Sequence, residues 1–100
     1  MGTSLLTINY IKFVARNIAK QYGVKRVYLF GSYAKNTATT QSDIDLLIEK
    51  GKPISLLDLS GMRIKLEDQL KTSIDLITTD GIESEFRKEI AGTEVLLYEE

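Results

Sequence analysis

Hydrophobic and polar positions follow a helical spacing at the start of the chain and a strand-like run directly after it. Residues 8–22 predict an amphipathic helix that begins after Thr7, a suitable N-cap, and ends at Gly23. The apolar stripe of this helix is formed by Ile8, Ile11, Val14 or Ala15, and Ile18. Residues 24–30 are rich in β-branched and aromatic side chains, which is typical of a strand.

The rest of the chain alternates between the same two kinds of pattern. Ser55 with Asp58 resembles a capping box and predicts a helix over residues 56–70. The other expected elements are a helical turn at 32–36, strands at 43–49 and 73–78, a helix at 80–90, and a strand or extended arm at 93–99. This alternation predicts an α/β (α+β) fold in which a small mixed β-sheet packs against helices.

Composition narrows the chemistry that such a fold could carry. One hundred residues with 43% hydrophobic content predict a single globular domain over residues 1–100. The apolar runs are too short to cross a membrane and the start lacks a secretory signal, so a cytoplasmic location is expected. The absence of cysteine excludes disulfides and thiolate metal sites, and a net charge of −1 argues against direct nucleic-acid binding.

Acidic residues on the predicted strands are the first candidates for catalysis. Side chains alternate along a strand, so Asp43 and Asp45 are expected to project to one side, about 7 Å apart. Because the chain has no histidine, this carboxylate pair suits Mg²⁺, which prefers oxygen ligands. Asp75 lies within the apolar third strand and joins the pair if the two strands are neighbours. Three carboxylates can hold two metal ions for phosphoryl displacement, and one can accept the proton of an attacking hydroxyl.

A glycine-serine pair directly after the first strand predicts a phosphate contact. Gly31 lacks a β-carbon and lets backbone N–H groups approach a phosphate, while Ser32 adds a hydroxyl and Lys35 a positive charge. Each feature alone also fits a plain structural role: a turn at Gly31, a solvated Lys35, a local side-chain turn at Ser42, a solvent-facing pair at Asp43 and Asp45, and a surface position on an edge strand at Asp75. Their occurrence in order on consecutive predicted strands favours the functional interpretation.

The segment GSYAKNTATTQSDIDLLIE, residues 31–49, resembles the nucleotidyltransferase signature G-S-x-A-x-G-x(5)-S-D-x-D-[LI]-x-[VI]. The later segment SIDLIT, residues 73–78, resembles the strand that carries the third acidic residue of that family. A chain this short is similar to the minimal nucleotidyltransferase (MNT) group of the polymerase-β superfamily. The resemblance implies the polymerase-β-like nucleotidyltransferase fold over nearly the whole chain.

The same resemblance implies a role for each matching residue. Gly31 and Ser32 would contact the nucleotide triphosphate, with Lys35 adding a positive charge beside them. Asp43 and Asp45 would bind two Mg²⁺ ions, and Asp75 would activate the acceptor hydroxyl or complete the metal site. The implied reaction transfers AMP from ATP to a hydroxyl and releases pyrophosphate. In MNT antitoxins the implied acceptor is a tyrosine of a partner HEPN-domain toxin.

The sequence departs from the family pattern at two turns. Lys35-Asn36 stands where Arg-Gly is usual, and Lys71-Thr72 stands where a Gly-Arg type of turn is common. Asparagine tolerates left-handed backbone well, which makes the first exchange mild. All three acidic positions are intact, which favours an active enzyme.

Two other functions remain open at the level of sequence. An antitoxin could neutralise its partner by binding and occlusion, using aromatic side chains that otherwise fill the core: Tyr10, Phe13, Tyr22, Phe86 and Tyr98. Nucleotidyl transfer to a small hydroxylated molecule would need a substrate-binding domain supplied by a second chain.

Overall fold

The computed structural model describes residues 6–79 and 92–100 of the chain. Its elements are α1 (Ile8–Tyr22), β1 (Arg26–Phe30), α2 (Gly31–Ala34), β2 (Ile44–Glu49), α3 (Leu56–Leu70), β3 (Ile74–Thr78) and β4 (Val95–Glu99). The helix predicted at residues 80–90 lies outside the described residues. No helix in the described part of the chain is long and apolar enough to cross a membrane.

The two long helices begin and end where the sequence predicts. The Thr7 side chain accepts a hydrogen bond from the amide of Tyr10 at 3.1 Å, which caps α1. Gly23 ends that helix in the left-handed conformation, with φ +68°. The Ser55 hydroxyl caps α3 by accepting a hydrogen bond from the amide of Asp58, also at 3.1 Å.

The strands begin one or two residues later than predicted. β1 starts at Arg26 because the amide of Val24 still bonds back to the carbonyl of Ala19, as part of the turn that ends α1. β2 and β3 each lose one predicted residue at their start. β4 starts after a turn at residues 92–93. The pattern of hydrophobic residues identifies each strand, whereas the turn before it decides its first residue.

A four-stranded mixed sheet forms the centre of the described structure, in the order β3-β2-β1-β4. β1 pairs antiparallel with both β2 and β4, whereas β2 pairs parallel with β3. A parallel pair requires a crossover connection, and α3 supplies it. The crossover places β3, which carries Asp75, directly beside β2.

One face of the sheet packs on α1 and α3 and forms the hydrophobic core. Alternate residues of β2 point into this core, and Ile44, Leu46 and Ile48 are fully buried. They meet buried side chains of the other elements: Ile11, Ile18, Leu29, Met62, Leu66 and Leu97. The residues between them on β2, beginning with Asp45, therefore lie on the other face of the sheet.

Ion pairs join three strands at one end of the sheet. The Arg26 guanidinium donates from Nη1 to both carboxylate oxygens of Glu49, at 2.9 and 3.0 Å, and from Nε to Glu99 at 2.7 Å. These residues stand opposite one another on β2, β1 and β4. At the other end of the β1–β2 pair, Phe30 stands opposite Asp45. The two ends therefore differ in chemistry: one has carboxylates paired with Arg26, and the other carries Asp45.

Candidate active site

Two of the predicted catalytic aspartates are direct neighbours across the parallel strand pair. Asp45 of β2 is in register with Asp75 of β3. Residues in register on neighbouring strands project to the same face, and their backbones lie about 4.8 Å apart. Asp45 is partly buried and Asp75 is exposed. The sequence placed Asp75 beside Asp45 only if their strands were neighbours, and the parallel pairing of β2 with β3 meets this condition.

Both of the other predicted catalytic aspartates affect the pKa of Asp45. Burial raises the pKa of Asp45, and the negative charges of Asp75 and Asp43 raise it further, together with a hydrogen bond to the Asp75 carboxyl. Asp43 is exposed and directly precedes β2. Asp43 and Asp75 therefore both lie close enough to Asp45 for their charges to act on its carboxyl group.

This donor set fits a divalent cation such as Mg²⁺. All three side chains offer oxygen atoms, and a cation between them would relieve the repulsion that raises the Asp45 pKa. Within residues 6–79 and 92–100, no three acidic side chains are arranged closely enough to hold one ion as they stand. Asp45 and Asp75 are neighbours in register, and Asp43 lies two residues before Asp45.

Gly31 lies against the carboxylate of Asp45. It follows the last residue of β1 and has a φ of +75°, a conformation that L-residues with side chains rarely adopt. A β-carbon added at Gly31 would overlap Oδ2 of Asp45 and would lie 3.1 Å from its Cγ. A side chain at this position would therefore be strained by the backbone conformation and would also displace the Asp45 carboxylate.

Ser32 and Lys35 extend from the same turn. The carbonyl of Ser32 accepts hydrogen bonds from the amide of Thr37 at 2.9 Å and from its hydroxyl at 3.4 Å, which closes the turn. Among the described residues, neither the Ser32 hydroxyl nor the Lys35 ammonium has a partner. Both groups are thus available to a ligand.

Local hydrogen bonds fix the loop that leads into Asp43. The Ser42 hydroxyl accepts from the amide of Thr39 at 2.8 Å, and the amide of Ser42 donates to the carbonyl of Thr39 at 3.0 Å. Ser42 therefore forms the side-chain turn that the sequence offered as a structural alternative. By forming it, Ser42 sets where the chain enters β2.

Two left-handed turn residues and one helix carboxylate lie close in sequence or contact to the site elements. Asn36 and Lys71 have φ values of +60° and +56°, and both stand at turns where the family commonly has glycine. Glu67 of α3 accepts a hydrogen bond from the amide of Ile74, the residue before Asp75, at 3.1 Å. The sequence argument missed Glu67 because no motif or periodicity marks a helix carboxylate that bonds to a strand.

The order of elements, the mixed sheet and the aspartates beside a glycine turn define the polymerase-β-like minimal nucleotidyltransferase fold. The profile of the nucleotidyltransferase domain matches residues 11–97. The chain belongs to this nucleotidyltransferase family, which confirms the resemblance identified in the sequence. A relative from Methanocaldococcus jannaschii that carries the name of a protein adenylyltransferase is 43% identical over 77% of this chain and 83% of its own length.

Other similar proteins include a second adenylyltransferase, a minimal nucleotidyltransferase and a toxin–antitoxin structure. Protein adenylyltransferase MntA of Thermococcus cleftensis is 26% identical over 87% of this chain and 92% of its own length. A minimal nucleotidyltransferase structure has a TM-score of 0.80, with 24% identity over 93% of this chain and 98% of its own. A toxin–antitoxin structure with AMP-PNP has a TM-score of 0.76, with 21% identity over 95% of this chain and 75% of its own.

A complex of a Shewanella oneidensis HEPN toxin with its MNT antitoxin belongs to the same group of structures. The toxin in that complex is tri-AMPylated. The match has a TM-score of 0.73 and 16% identity, and it covers 94% of this chain and 74% of the other. At these identities the solved structures show the shared fold and confirm the predicted fold class.

Proposed function

We propose that this protein is a Mg²⁺-dependent protein adenylyltransferase that transfers AMP from ATP to a hydroxyl of a partner HEPN-domain toxin. The observation that carries the proposal is the register of Asp45 with Asp75, beside the turn at Gly31. Relatives that cover most of the chain carry the name protein adenylyltransferase, which supports transfer to a protein. The AMPylated HEPN toxin bound to a protein of the same fold supports this class of partner.

In this proposal Asp43, Asp45 and Asp75 would hold the metal ions, because they are the acidic groups that converge. When bound, Mg²⁺ neutralises charge on the phosphates and on the developing transition state. The turn at Gly31 would contact the triphosphate through its backbone, the Ser32 hydroxyl would donate a hydrogen bond, and Lys35 would contribute positive charge. These three residues bind and orient the triphosphate.

The chemistry requires one bond to form and one to break at the α-phosphorus. The acceptor oxygen, expected to be that of a tyrosine, bonds to the α-phosphorus, and the bond from that phosphorus to the bridging oxygen breaks. Pyrophosphate leaves with the electron pair. The acceptor proton passes to a carboxylate, and Asp75 suits this task because it is the exposed member of the register pair.

Label transfer tests the proposal directly. Wild-type protein is incubated with ATP labelled at the α-phosphate, Mg²⁺ and a candidate HEPN-domain partner, and the D43A/D45A variant is compared. Transfer by wild type and its loss in the variant are expected. Asp68→Ala is the matched control, because Asp68 is an exposed aspartate on α3 that pairs only with Lys71 among the described residues. Absence of labelled partner with wild-type protein contradicts the proposal.

Neutralisation by binding alone is the second candidate, and one observation favours it. Two of the aromatic residues predicted to form a contact surface, Tyr10 and Phe13, are exposed by 44% and 64%. Phe86 of the same predicted set lies outside the described residues. If D43A/D45A suppresses the toxicity of the partner as fully as wild type does, occlusion rather than adenylyl transfer is the neutralising step.

A further inference from the structure

We propose that Glu67 is a positioning residue for Asp75, and that it sets the place of the third carboxylate by holding the first residue of β3. This inference rests on the proposed adenylyl transfer, because Asp75 is assigned there to the acceptor hydroxyl. Glu67 lies in the last turn of α3, outside the nucleotidyltransferase motif, and touches none of the three aspartates through any described hydrogen bond.

The Glu67 side chain accepts a hydrogen bond from the amide of Ile74, which has no partner within the described sheet. The amide of Ile44 donates to the carbonyl of Ser73 at 3.0 Å, so the polar groups of Ser73 face β2. Backbone polar groups alternate sides along a strand, and the amide of Ile74 therefore points to the outer side of β3. β3 is an edge strand in the described sheet. Oε2 of Glu67 accepts the hydrogen bond from this amide at 3.1 Å.

Glu67 also anchors the other end of the same connection. Its backbone carbonyl accepts a hydrogen bond from the amide of Lys71 at 2.8 Å, which ends α3. One residue thus bonds to the segment between α3 and β3 at both ends, through its backbone at Lys71 and through its side chain at Ile74. The Nε atom of Arg63 lies 3.7 Å from the same Oε2, as an i,i+4 ion pair on the helix surface.

The consequence for the site follows from the position of Asp75. It is the residue after Ile74, and it lies on a strand that pairs on one side only with β2. Loss of the Glu67 bond leaves the start of this edge strand free to shift relative to Asp45. Misplacement of a reacting group by about 1 Å costs as much as roughly 10²-fold in rate. The turn at Gly31 lies on the opposite side of β2 and is not held by Glu67.

Amide exchange and kinetics of three variants test the inference. Glu67→Ala removes the acceptor, Glu67→Gln keeps an acceptor oxygen, and Asp68→Ala removes the neighbouring exposed carboxylate, which contacts Lys71 rather than β3. The Ile74 amide is expected to lose exchange protection in E67A and to keep it in E67Q and D68A. For transfer to the HEPN protein, kcat of E67A is expected to fall roughly 10- to 100-fold.

The expected kinetic pattern separates positioning from general damage. KM for ATP should change less than about threefold in E67A, because the triphosphate is assigned to Gly31, Ser32 and Lys35 rather than to Asp75. The kcat of E67Q should stay within about threefold of wild type, since the amide oxygen accepts the same hydrogen bond. If E67A does not fold, Glu67→Met, which also removes the acceptor oxygen but keeps the length of the side chain, replaces it in the same two measurements.

Distinct outcomes overturn the inference and the proposed function. Equal kcat in E67A and D68A overturns the role of Glu67, as does an unprotected Ile74 amide in wild type. A kcat of E67Q as low as that of D43A/D45A, with the Ile74 amide still protected, overturns it as well. If wild type transfers no AMP although its Ile74 amide is protected, the proposed function fails instead.

Discussion

Two separate demands explain the glycine at position 31, one on the backbone conformation and one on space, and substitutions can measure each of them separately. Its φ of +75° penalises any side chain, and its missing β-carbon makes room for the carboxylate of Asp45. Strain of the first kind alone costs roughly 1–2 kcal/mol. The second demand is specific to the site, because the overlapping atoms belong to a proposed metal ligand.

Gly31→Ala is therefore expected to destabilise the protein by more than about 2 kcal/mol and to abolish AMP transfer. Urea unfolding measures the first effect and label transfer the second. Gly92→Ala is the matched control, since Gly92 has a φ of +83° but nothing within 4 Å of an added β-carbon. Adding Asp45→Ala to Gly31→Ala should recover part of the lost stability. Equal losses in G31A and G92A contradict the steric argument.

Lys71 adopts a left-handed conformation that glycine would adopt without strain. Its φ is +56°, it ends α3, and it stands where the family commonly has a glycine turn. Lys71→Gly is expected to raise the free energy of unfolding by roughly 0.5–1 kcal/mol, measured in urea. Asn36→Gly should gain less, because asparagine tolerates its φ of +60° better than lysine does. A loss of stability in K71G contradicts this reasoning.

The charge on Asp45 is useful to a bound cation and unfavourable without one. Burial and the charges of Asp75 and Asp43 raise its pKa, so the ionised form is disfavoured in the folded protein. Asp45→Asn is expected to stabilise the protein in EDTA by roughly 0.5 kcal/mol, a small gain because a partly solvated carboxylate is screened. Asp43→Asn, at an exposed position, should gain less. Chemical unfolding in EDTA measures the free energy of unfolding of each variant. If the D45N variant is less stable than wild type, the prediction is wrong.

At the scale of elements, the caps determine the bounds of the two long helices. Ser55→Ala removes the acceptor for the amide of Asp58 and should cost about 1 kcal/mol in urea unfolding. Ser60→Ala is the control within the same helix, since Ser60 is exposed in the helix interior, where alanine is preferred. A gain of stability in S55A, or a matching loss in S60A, argues against a capping role.

Helices and strands could be identified from sequence because their signals are local. Thr7 with Gly23, and Ser55 after a turn, mark ends that the chain itself sets, and both helices have the predicted bounds. The pairing of β2 with β3 is not local: it depends on α3 crossing over the sheet. The sequence therefore gave Asp75 only a conditional place in the site.

The parts of the site that the sequence could not predict are tertiary contacts. The contact between Gly31 and Asp45 depends on how β1 and β2 pair, although both residues lie within the motif. Glu67 bonds to a strand seven residues later in the chain, across a turn whose shape is set by the left-handed Lys71. No spacing rule marks such a pair before the turn is known.

At the scale of the whole molecule, the hydrophobic core stabilises the fold and also supports the strand that carries Asp45. Leu46 is fully buried, lies next to Asp45 in β2, and stands opposite Leu29 and beside Leu76. Leu46→Ala should cost roughly 2–5 kcal/mol. Since a domain of this size is stable by only about 5–15 kcal/mol, this loss is severe.

Leu57→Ala is the matched control for Leu46→Ala, because the side chain of Leu57 is 84% exposed. It should change the free energy of unfolding by less than about 0.5 kcal/mol. Urea unfolding of both variants gives the comparison. A cost of less than about 1 kcal/mol for L46A contradicts the placement of Leu46 in the core.

The parallel pairing of β2 with β3 also decides when activity can arise during synthesis. Gly31, Asp43 and Asp45 lie on or beside one antiparallel hairpin, and such short-range pairings form early. Asp75 is thirty residues further along than Asp45 and reaches the site only after α3 has crossed over the sheet. A nascent chain with β1 and β2 outside the ribosome therefore contains Gly31, Asp43 and Asp45 before Asp75 can reach them. The proposed transfer to a partner would then have to wait until β3 has emerged and docked.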